Sequence, residues 1–497
     1  MHVNERVTPT EETAYIQYKR VEKQYKNKSM LLENLVCGMY ELQHLCLTPV
    51  FALTISNKMD SKSFKISLFA VFLFTIVILY SFNSTPTNSL QSKSGSEVIS
   101  TTVELNPKEL PTYKIDRMDR FEWYTRKWKE EIKKDQPPKI EEVSMLRAYE
   151  FDVEYSISIT TPGKYKAILY CRYFDESGVE LLPSFQSYNF PEFVVNCQKR
   201  KGTKRVSVST QATNNYTYPI ELHDRTQREY KRELSFCMSP IYGKEAKWLL
   251  LAEIIEHYKL QGMTHFYFYI FHIDEYSSAM LNDYVRTGEV EVTYLQERND
   301  RELLHWQMVA FRDCTLRSRF ESKWSLFSDI DERLLMTKYP GTILDYLKEV
   351  NDPKIAGVQY RQQWIMKTEF MPDKYEGDKQ IDEWSPTLRW HNSSVFGPPG
   401  HTVKCIIMPE KVFAMWTHRP TMIFPGFYVH ELTPEEGIIR HYRDLQMWNW
   451  GKTWLKEIVA MGPMSRTDYP AKYQKPLIDA VKRRTKYVYE HYSLREQ

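Results

Sequence analysis

Apolar and polar positions follow three different patterns along this chain. Residues 66–82 (ISLFAVFLFTIVILYSF) carry no charge at all. Residues 144–210 hold short alternating runs, YSISITT, YKAILYCRYF, FVVNC and RVSVST, several of them separated by glycine or proline. Period-two alternation with such turns predicts a small antiparallel β domain. From Cys237 the period changes. EAKWLLLAEIIEHYKLQG (245–262) is amphipathic at helical spacing and stops at Gly262, and HFYFYIFHI (265–273) reads as a strand covered on both faces. SAMLNDYVRTG, EVEVTYL (289–295), ELLHWQMVAFRDCTLRSRF (302–320) and WSLFSDID (324–331) continue as helix, strand, helix and strand. Pro340 starts a further helix through Leu347, and IAGVQYRQQW (355–364) is a fourth strand. This alternation predicts an α/β architecture with a parallel, Rossmann-like sheet and helices on both faces. Ligands in such sheets sit beyond the carboxyl ends of the strands.

The uncharged segment changes the picture of the whole chain. Its 17 residues reach about 25 Å as a helix, the short end of what spans a bilayer core. Lys58, Lys62 and Lys65 precede it, so the positive-inside rule puts the N-terminus in the cytosol and the large C-terminal part across the membrane. Lys65 can snorkel to extend the span. A cleaved signal peptide would need a small-x-small site, and Ser81-Phe82-Asn83 is a poor one, so a retained anchor is expected. Met59 followed by DSKSFK makes a compact start for such an anchor, and some product is expected to begin there. Residues 83–112 are rich in Ser, Thr, Asn and Pro and read as a flexible stem, with a short charged helix over 119–134. The expected divisions are a cytosolic tail (1–65), an anchor (66–82), a stem and linker (83–143), a β-rich accessory domain (144–232), the α/β domain (233–465) and a C-terminal helical tail (466–497). Sequons at Asn83, Asn215 and Asn392 lie on the lumenal side, and the one at Asn27 should stay bare. Five cysteines follow the anchor, so not all can pair within the chain. Cys171 with Cys197 is the first pairing expected, since both fall in the strand-rich region.

A formal net charge of +3 gives no broad basic surface, which argues against nucleic acid as a partner. Basic runs such as Lys199-Arg200-Lys201 and Lys482-Arg483-Arg484 read as solvated faces.

The chemistry concentrates in SLFSDIDERLL (325–335). Asp329 and Asp331 form the only Asp-x-Asp of the chain, and residues two apart on a strand point to one side. Two carboxylates so close need a cation beside them. Oxygen ligands select hard ions such as magnesium or manganese, which grip phosphate oxygens in turn. A nucleotide diphosphate held through a metal is the expected ligand. The bland alternative is a solvated strand end. A phosphatase-type Asp-x-Asp-x-Thr is a rival use, but it wants threonine or valine where Arg333 stands.

Ordered motifs then carry a resemblance. CMSPIYGKEAKWLLLAEIIEHYKLQGMTHFYFYIFHID, DYVRTGEVEV, DCTLRSRFESKWSLFSDIDERL, KCIIMPEKV, THRP and IRHYRD are similar to glycosyltransferase family 92, and within it to the nematode branch of galactosyltransferases acting on fucose of N-glycan cores. The similarity runs from about 145 to 450. It implies a GT-A fold for the catalytic domain, a UDP-sugar donor (UDP-galactose), a glycan or glycoprotein acceptor, Mn2+, inversion at the anomeric carbon and a type II Golgi membrane address. The tail before Met59 is longer than the resemblance leads one to expect. A metal held by Asp329 and Asp331 would stabilise the leaving diphosphate, and single-step inversion needs a base on the acceptor side. Two readings of other classes compete: a catalytically silent lumenal glycan-binding protein, and a metal-dependent phosphohydrolase.

GT-A enzymes often add a late histidine to the metal site, for which His441 in IRHYRD is the first choice and His418 in THRP the second. Glu332 should point away from the pair if the strand continues, and serve to pair with Arg333 or cap a turn. Candidates for the base are Asp382 and Glu383 in QIDEWSPTLRW, with Glu431 a third. Tyr242, in the loop after the first strand, is placed to stack on uracil, and Arg298 and Arg301 to meet phosphate. Trp364, Trp384 and Trp390 offer flat faces for sugar rings, against core packing as the default for any tryptophan.

Overall fold

In the computed structural model, which describes residues 117–213, 217–243, 245–295 and 303–492, helix α1 (Arg117–Ile132) opens onto seven strands. The anchor 66–82, the stem, the sequons at Asn27, Asn83 and Asn215, and Arg298 and Arg301 lie outside the described residues. Among the described residues, no helix is long and apolar enough to cross a membrane.

The seven strands are β1 (Ser144–Glu150), β2 (Glu154–Thr160), β3 (Ile168–Phe174), β4 (Phe185–Tyr188), β5 (Val194–Gln198), β6 (Arg205–Ser209) and β7 (Ile220–Asp224). Their order is β4-β3-β6-β7-β1-β2-β5. All neighbours are antiparallel except β1 and β7, which run parallel. Alternate residues build one apolar face: Tyr155, Ile157 and Ile159 on β2 meet Cys171 and Tyr173 on β3 and Val195 and Cys197 on β5. The Cys171–Cys197 disulfide joins strands near opposite ends of this order, so the sheet curls over its own core.

Strands and helices then alternate as the periodicity predicts: β8 (Arg232–Met238), α2 (Trp248–Leu260), β9 (His265–Ile270), α3 (Glu275–Arg286), β10 (Val290–Tyr294), α4 (Leu303–Ser318) and β11 (Ser322–Ser328). They form a parallel array β10-β9-β8-β11. Local chemistry sets the boundaries. Asp274 caps α3 by accepting from the Ser277 N–H. Gly262 closes α2 at φ +93°, where a Cβ would lie 2.5 Å from that of Leu344. A second disulfide, Cys237–Cys314, ties β8 to α4, which leaves Cys405 as a buried free thiol.

Beyond β11 the sheet departs from the expected parallel pattern. The later elements are β12 (Glu332–Met336), α5 (Ile343–Glu349), β13 (Ile355–Lys367), α6 (Asp378–Trp384), α7 (Pro386–Arg389), β14 (Asn392–Ser393), β15 (Lys404–Ile407), β16 (Val412–Met415), β17 (Pro420–Ile423), β18 (Tyr428–Glu431), β19 (Gly437–Asp444), α8 (Trp450–Ala460), β20 (Ser465–Arg466) and α9 (Ala471–Lys486). β15 pairs antiparallel with both β11 and β13, whereas β18 and β19 run parallel to β13. No crossover helix separates β15 to β19, so strands in this stretch are free to pair in either sense. The expected strand 324–331 ends three residues early. The chain turns at Ile330 and Asp331, and β12 leaves to pair with β19. Leu477, Ile478 and Val481 of α9 join the main core with residues of α2.

The β sheet and the α/β part share a buried polar joint. Asp313 on α4, fully buried, accepts from Tyr149 (2.8 Å) and Ser158 (2.6 Å) on the β sheet and from Tyr269 (2.7 Å) on β9. Arg147 adds an ion pair at 3.4 Å. Both parts belong to one compact unit.

Candidate active site

The turn between β11 and β12 is built from behind. Arg333, fully buried, donates to the carbonyls of Ile330 (2.8 Å) and Glu332 (3.2 Å) and pairs with buried Glu253 at 3.2 Å. Glu332 does not turn away as strand geometry would require. Its Oε2 accepts from the Asp329 N–H (2.9 Å) and the Ser328 hydroxyl (2.7 Å), capping the turn. Its partner is not Arg333, whose guanidinium faces Glu253. The same inward-facing arginine fills the position that a phosphatase-type motif gives to a small residue.

Four further side chains converge on the turn. Lys404, at the start of β15 and fully buried, lies 2.8 Å from Asp329 Oδ2 and 3.3 Å from Glu332 Oε2. From β19, His441 Nε2 lies 3.1 Å from Asp331 Oδ2, and Arg443 Nη1 lies 3.6 Å from the same oxygen. The β12–β19 register sets His441 opposite Glu332, and the Tyr442 N–H donates to the Asp331 carbonyl at 2.8 Å. Gln362 on β13 donates its amide to His441 Nδ1.

Burial and charge act differently on each acid. Burial pushes Asp329 up, but Lys404 outweighs it and holds the carboxyl below the usual range, against a push from Asp331. Burial likewise opposes ionisation of Asp331, and His441 and Arg443 overcome it, holding that carboxyl well below. Glu332 goes the other way, since burial keeps it raised despite Lys404. Lys404 is raised above an ordinary lysine because Asp329 and Glu332 more than offset its burial.

A divalent ion suits this donor set on two observations. Asp329 Oδ1 is buried with no hydrogen-bond partner, the condition of a ligand atom without its cation. Gln362 Oε1 is also buried and unpartnered. Turning that amide end for end would satisfy it with a proton on His441 Nδ1 and leave Nε2 a lone pair toward Asp331. Among the described residues, no group of three or more His, Cys, Asp and Glu stands ready to hold a metal.

Of the other expected residues, Tyr242 belongs here. It follows β8, whose end lies beside that of β11, with the Ser239 N–H donating to the Ser328 carbonyl. Tyr242 keeps 37% of its surface open. Enclosure of the remainder pushes its phenol up to about 12, with Arg443 lowering it and Asp329 and Asp331 raising it further. His418 faces the Val403 carbonyl instead, through Nδ1. Asp382 pairs with Lys482 on α9 (2.6 Å), and Glu383 with Lys379 one helical turn away (3.5 Å). Among the described residues, no hydrogen bond or ion pair joins either side chain to the carboxylate turn. Glu431 accepts from Gln359 at 2.9 Å. Trp364 and Trp390 are 3% and 5% exposed and pack in the core, Trp364 against Met366 and Trp450, Trp390 against Ile365 and Tyr442. Neither therefore shows a face to a sugar. Trp384 is partly exposed and carries Arg389 on its ring at 3.8 Å.

Lys404, Arg443 and Gln362 are the members that sequence reasoning passed over. Two of them left signals: Lys404 interrupts the apolar run VKCIIM, and Arg443 follows His441 by two along a strand.

Residues 232–477 match the family model described as glycosyltransferase family 92. The β-1,4-galactosyltransferase galt-1 of Caenorhabditis elegans is 22% identical over 269 residues, 51% of this chain and 60% of that protein. The galactan β-1,4-galactosyltransferase GALS3 of Arabidopsis thaliana is 25% identical over 228 residues, 44% of this chain and 42% of that protein. The chain thus matches 60% or less of the length of these relatives. Among solved structures, the mannosyltransferase PcManGT from Pyrobaculum calidifontis, in complex with GDP-Man and Mn2+, is 10% identical, covers 53% of this chain and 71% of its own, and has a TM-score of 0.28.

Proposed function

Residues 232–477 belong to glycosyltransferase family 92, and from that premise we propose that the chain is an inverting, Mn2+-dependent galactosyltransferase. It takes galactose from UDP-galactose and places it on a glycan, with fucose of an N-glycan core as the acceptor. Residues 66–82 anchor it in the Golgi membrane as a single-pass type II protein, and the GT-A catalytic region faces the lumen. The observation that carries this reading is the turn itself, where Asp329 keeps a buried carboxylate oxygen without a partner and Asp331 meets His441 at 3.1 Å.

Asp329 Oδ1, Asp331 and His441 Nε2 would hold Mn2+, which when bound supplies Lewis-acid stabilisation of the departing diphosphate. The chain's own groups set the stage. Lys404 keeps Asp329 ionised, and Arg333 fixes the turn's carbonyls so that both aspartates stay at the end of β11. Tyr242 offers a partly open ring beside them for the uracil base. The displacement needs a base for the acceptor hydroxyl proton. Asp382 or Glu383 could take that part only after leaving Lys482 or Lys379.

The test is transfer by the full chain in detergent, with a panel of UDP-sugars, Mn2+ and mixed glycans. UDP-galactose should be consumed with Mn2+ and not after chelation. Asp331→Asn should abolish transfer while leaving the melting temperature in place. A wild-type chain that neither transfers nor hydrolyses any UDP-sugar would defeat the reading.

A further inference from the structure

The cations around the carboxylate turn are not equally available. Arg333 commits both terminal nitrogens to Ile330, Glu332 and Glu253, and only its Nε, buried like that of Arg443, has no partner. Arg440 spends its own on Tyr442 and Thr467. Lys404 is fully buried. Arg443 differs from all three. Its side chain is 26% exposed, and among the described residues its ion-pair partner is Asp331 at 3.6 Å, beyond hydrogen-bond length. Its Nε is buried with no partner. Among the described residues, its guanidinium makes no hydrogen bond. The plane is kept near the Trp450 ring, 5.2 Å from its centroid, a support that orients an arginine without consuming its donors.

A planar fork of unspent N–H groups at the open side of an acidic turn suits an anion with several oxygens. It suits a sugar hydroxyl poorly, since arginine has no acceptor to offer in return. We infer that Arg443 grips the diphosphate of the nucleotide sugar, exchanging the long contact with Asp331 for direct hydrogen bonds to phosphate oxygens. This rests on the transferase reading above and assigns the phosphate-binding role to a residue of β19. Any cation that takes up the Asp331 carboxylate releases the guanidinium for that exchange.

The experiment measures binding to the full chain by calorimetry, with UDP and uridine as probes in the presence of Mn2+, and with Mn2+ alone by electron paramagnetic resonance. Arg443→Ala should weaken UDP about tenfold or more, as loss of charged hydrogen bonds does. It should leave uridine unchanged and Mn2+ bound at least as tightly, because a positive charge beside Asp331 is gone. Arg443→Gln keeps bulk over Trp450 without charge and carries the same expectation if the alanine variant unfolds. UDP affinity within twofold of wild type in the folded variant overturns the inference. So does a parallel loss of UDP and Mn2+, which would reduce Arg443 to a prop for Asp331. A wild-type chain that binds neither Mn2+ nor UDP instead overturns the transferase reading, and the inference with it.

Discussion

Glu253 and Arg333 stand 3.2 Å apart with neither side chain exposed, directly behind the turn that carries Asp329 and Asp331. Removing one partner of a buried ion pair leaves an uncompensated charge and costs about 3–5 kcal/mol. Arg333→Met should therefore lose about that much stability in denaturant unfolding, and Mn2+ affinity should fall as the Ile330 carbonyl loses its donor. The double variant Glu253→Leu/Arg333→Met should recover part of the stability and none of the Mn2+ affinity. Full recovery of both would mean that the pair does not position the turn.

Lys404→Met strips the buried counter-charge from Asp329 and Glu332. The expected loss is on the order of 3 kcal/mol at pH 7. Its pH dependence has a definite sign. Glu332 already has a raised carboxyl, and without Lys404 it rises further. The folded state then holds more protons than the unfolded chain above the ordinary value of 4.5, so stability falls as pH rises. Melting curves of the variant should approach those of wild type toward pH 5 and separate toward pH 8. A gap independent of pH would refute this charge assignment.

The Gln362 side-chain amide meets His441 at Nδ1. Replacing Gln362 with leucine leaves the imidazole without its orienting partner. Losing such a partner typically costs 10–100-fold in metal affinity, so about that loss is expected for Mn2+ with the fold intact. Titration by electron paramagnetic resonance beside a circular dichroism melt checks both halves.

Acid should act elsewhere first. Glu291 on β10 accepts from His265 at 2.9 Å and pairs with Arg317. The His265 hydrogen bond leads in lowering its carboxyl from 4.5 to about 2, with Arg317 adding to it against desolvation. A depressed carboxyl stabilises the fold above its unfolded value and loses that contribution as pH falls from about 4.5 to about 2. The residue is partly exposed, so screening reduces the size of the effect. Glu291→Gln should flatten the acid limb of the melting-temperature profile over that interval. An unchanged limb would assign acid loss to other carboxylates.

Much of this arrangement was legible in the sequence. The βα alternation from β8 to β11 follows from apolar runs and glycine stops, and the Cys171–Cys197 pairing from two period-two runs. The Asp-x-Asp was visible too, but for a reason only half right. Its two acids share a side because the chain turns at Ile330, not because a strand continues through them. Glu332 shows the limit of the periodic argument: a three-residue break in the strand, 329–331, moved it from the far face into the cluster. Trp364 and Trp390 look alike in sequence whether they meet a sugar or fill a core, since the same ring does both. Lys404 was harder still. Its partners are 75 and 72 residues away, and nothing local announces an ion pair that only the antiparallel arrival of β15 creates.

Asp313 bears on how this chain can be cut. A fragment beginning at β8 would keep the carboxylate and Tyr269 but lose the donors that Tyr149, Ser158 and Arg147 contribute. It would open a bare, charged wound where a smooth exterior ought to be. The β-stranded segment therefore supplies the partners that make burial of Asp313 tolerable, and shortening that discards it should yield inclusion bodies in place of a smaller folded protein.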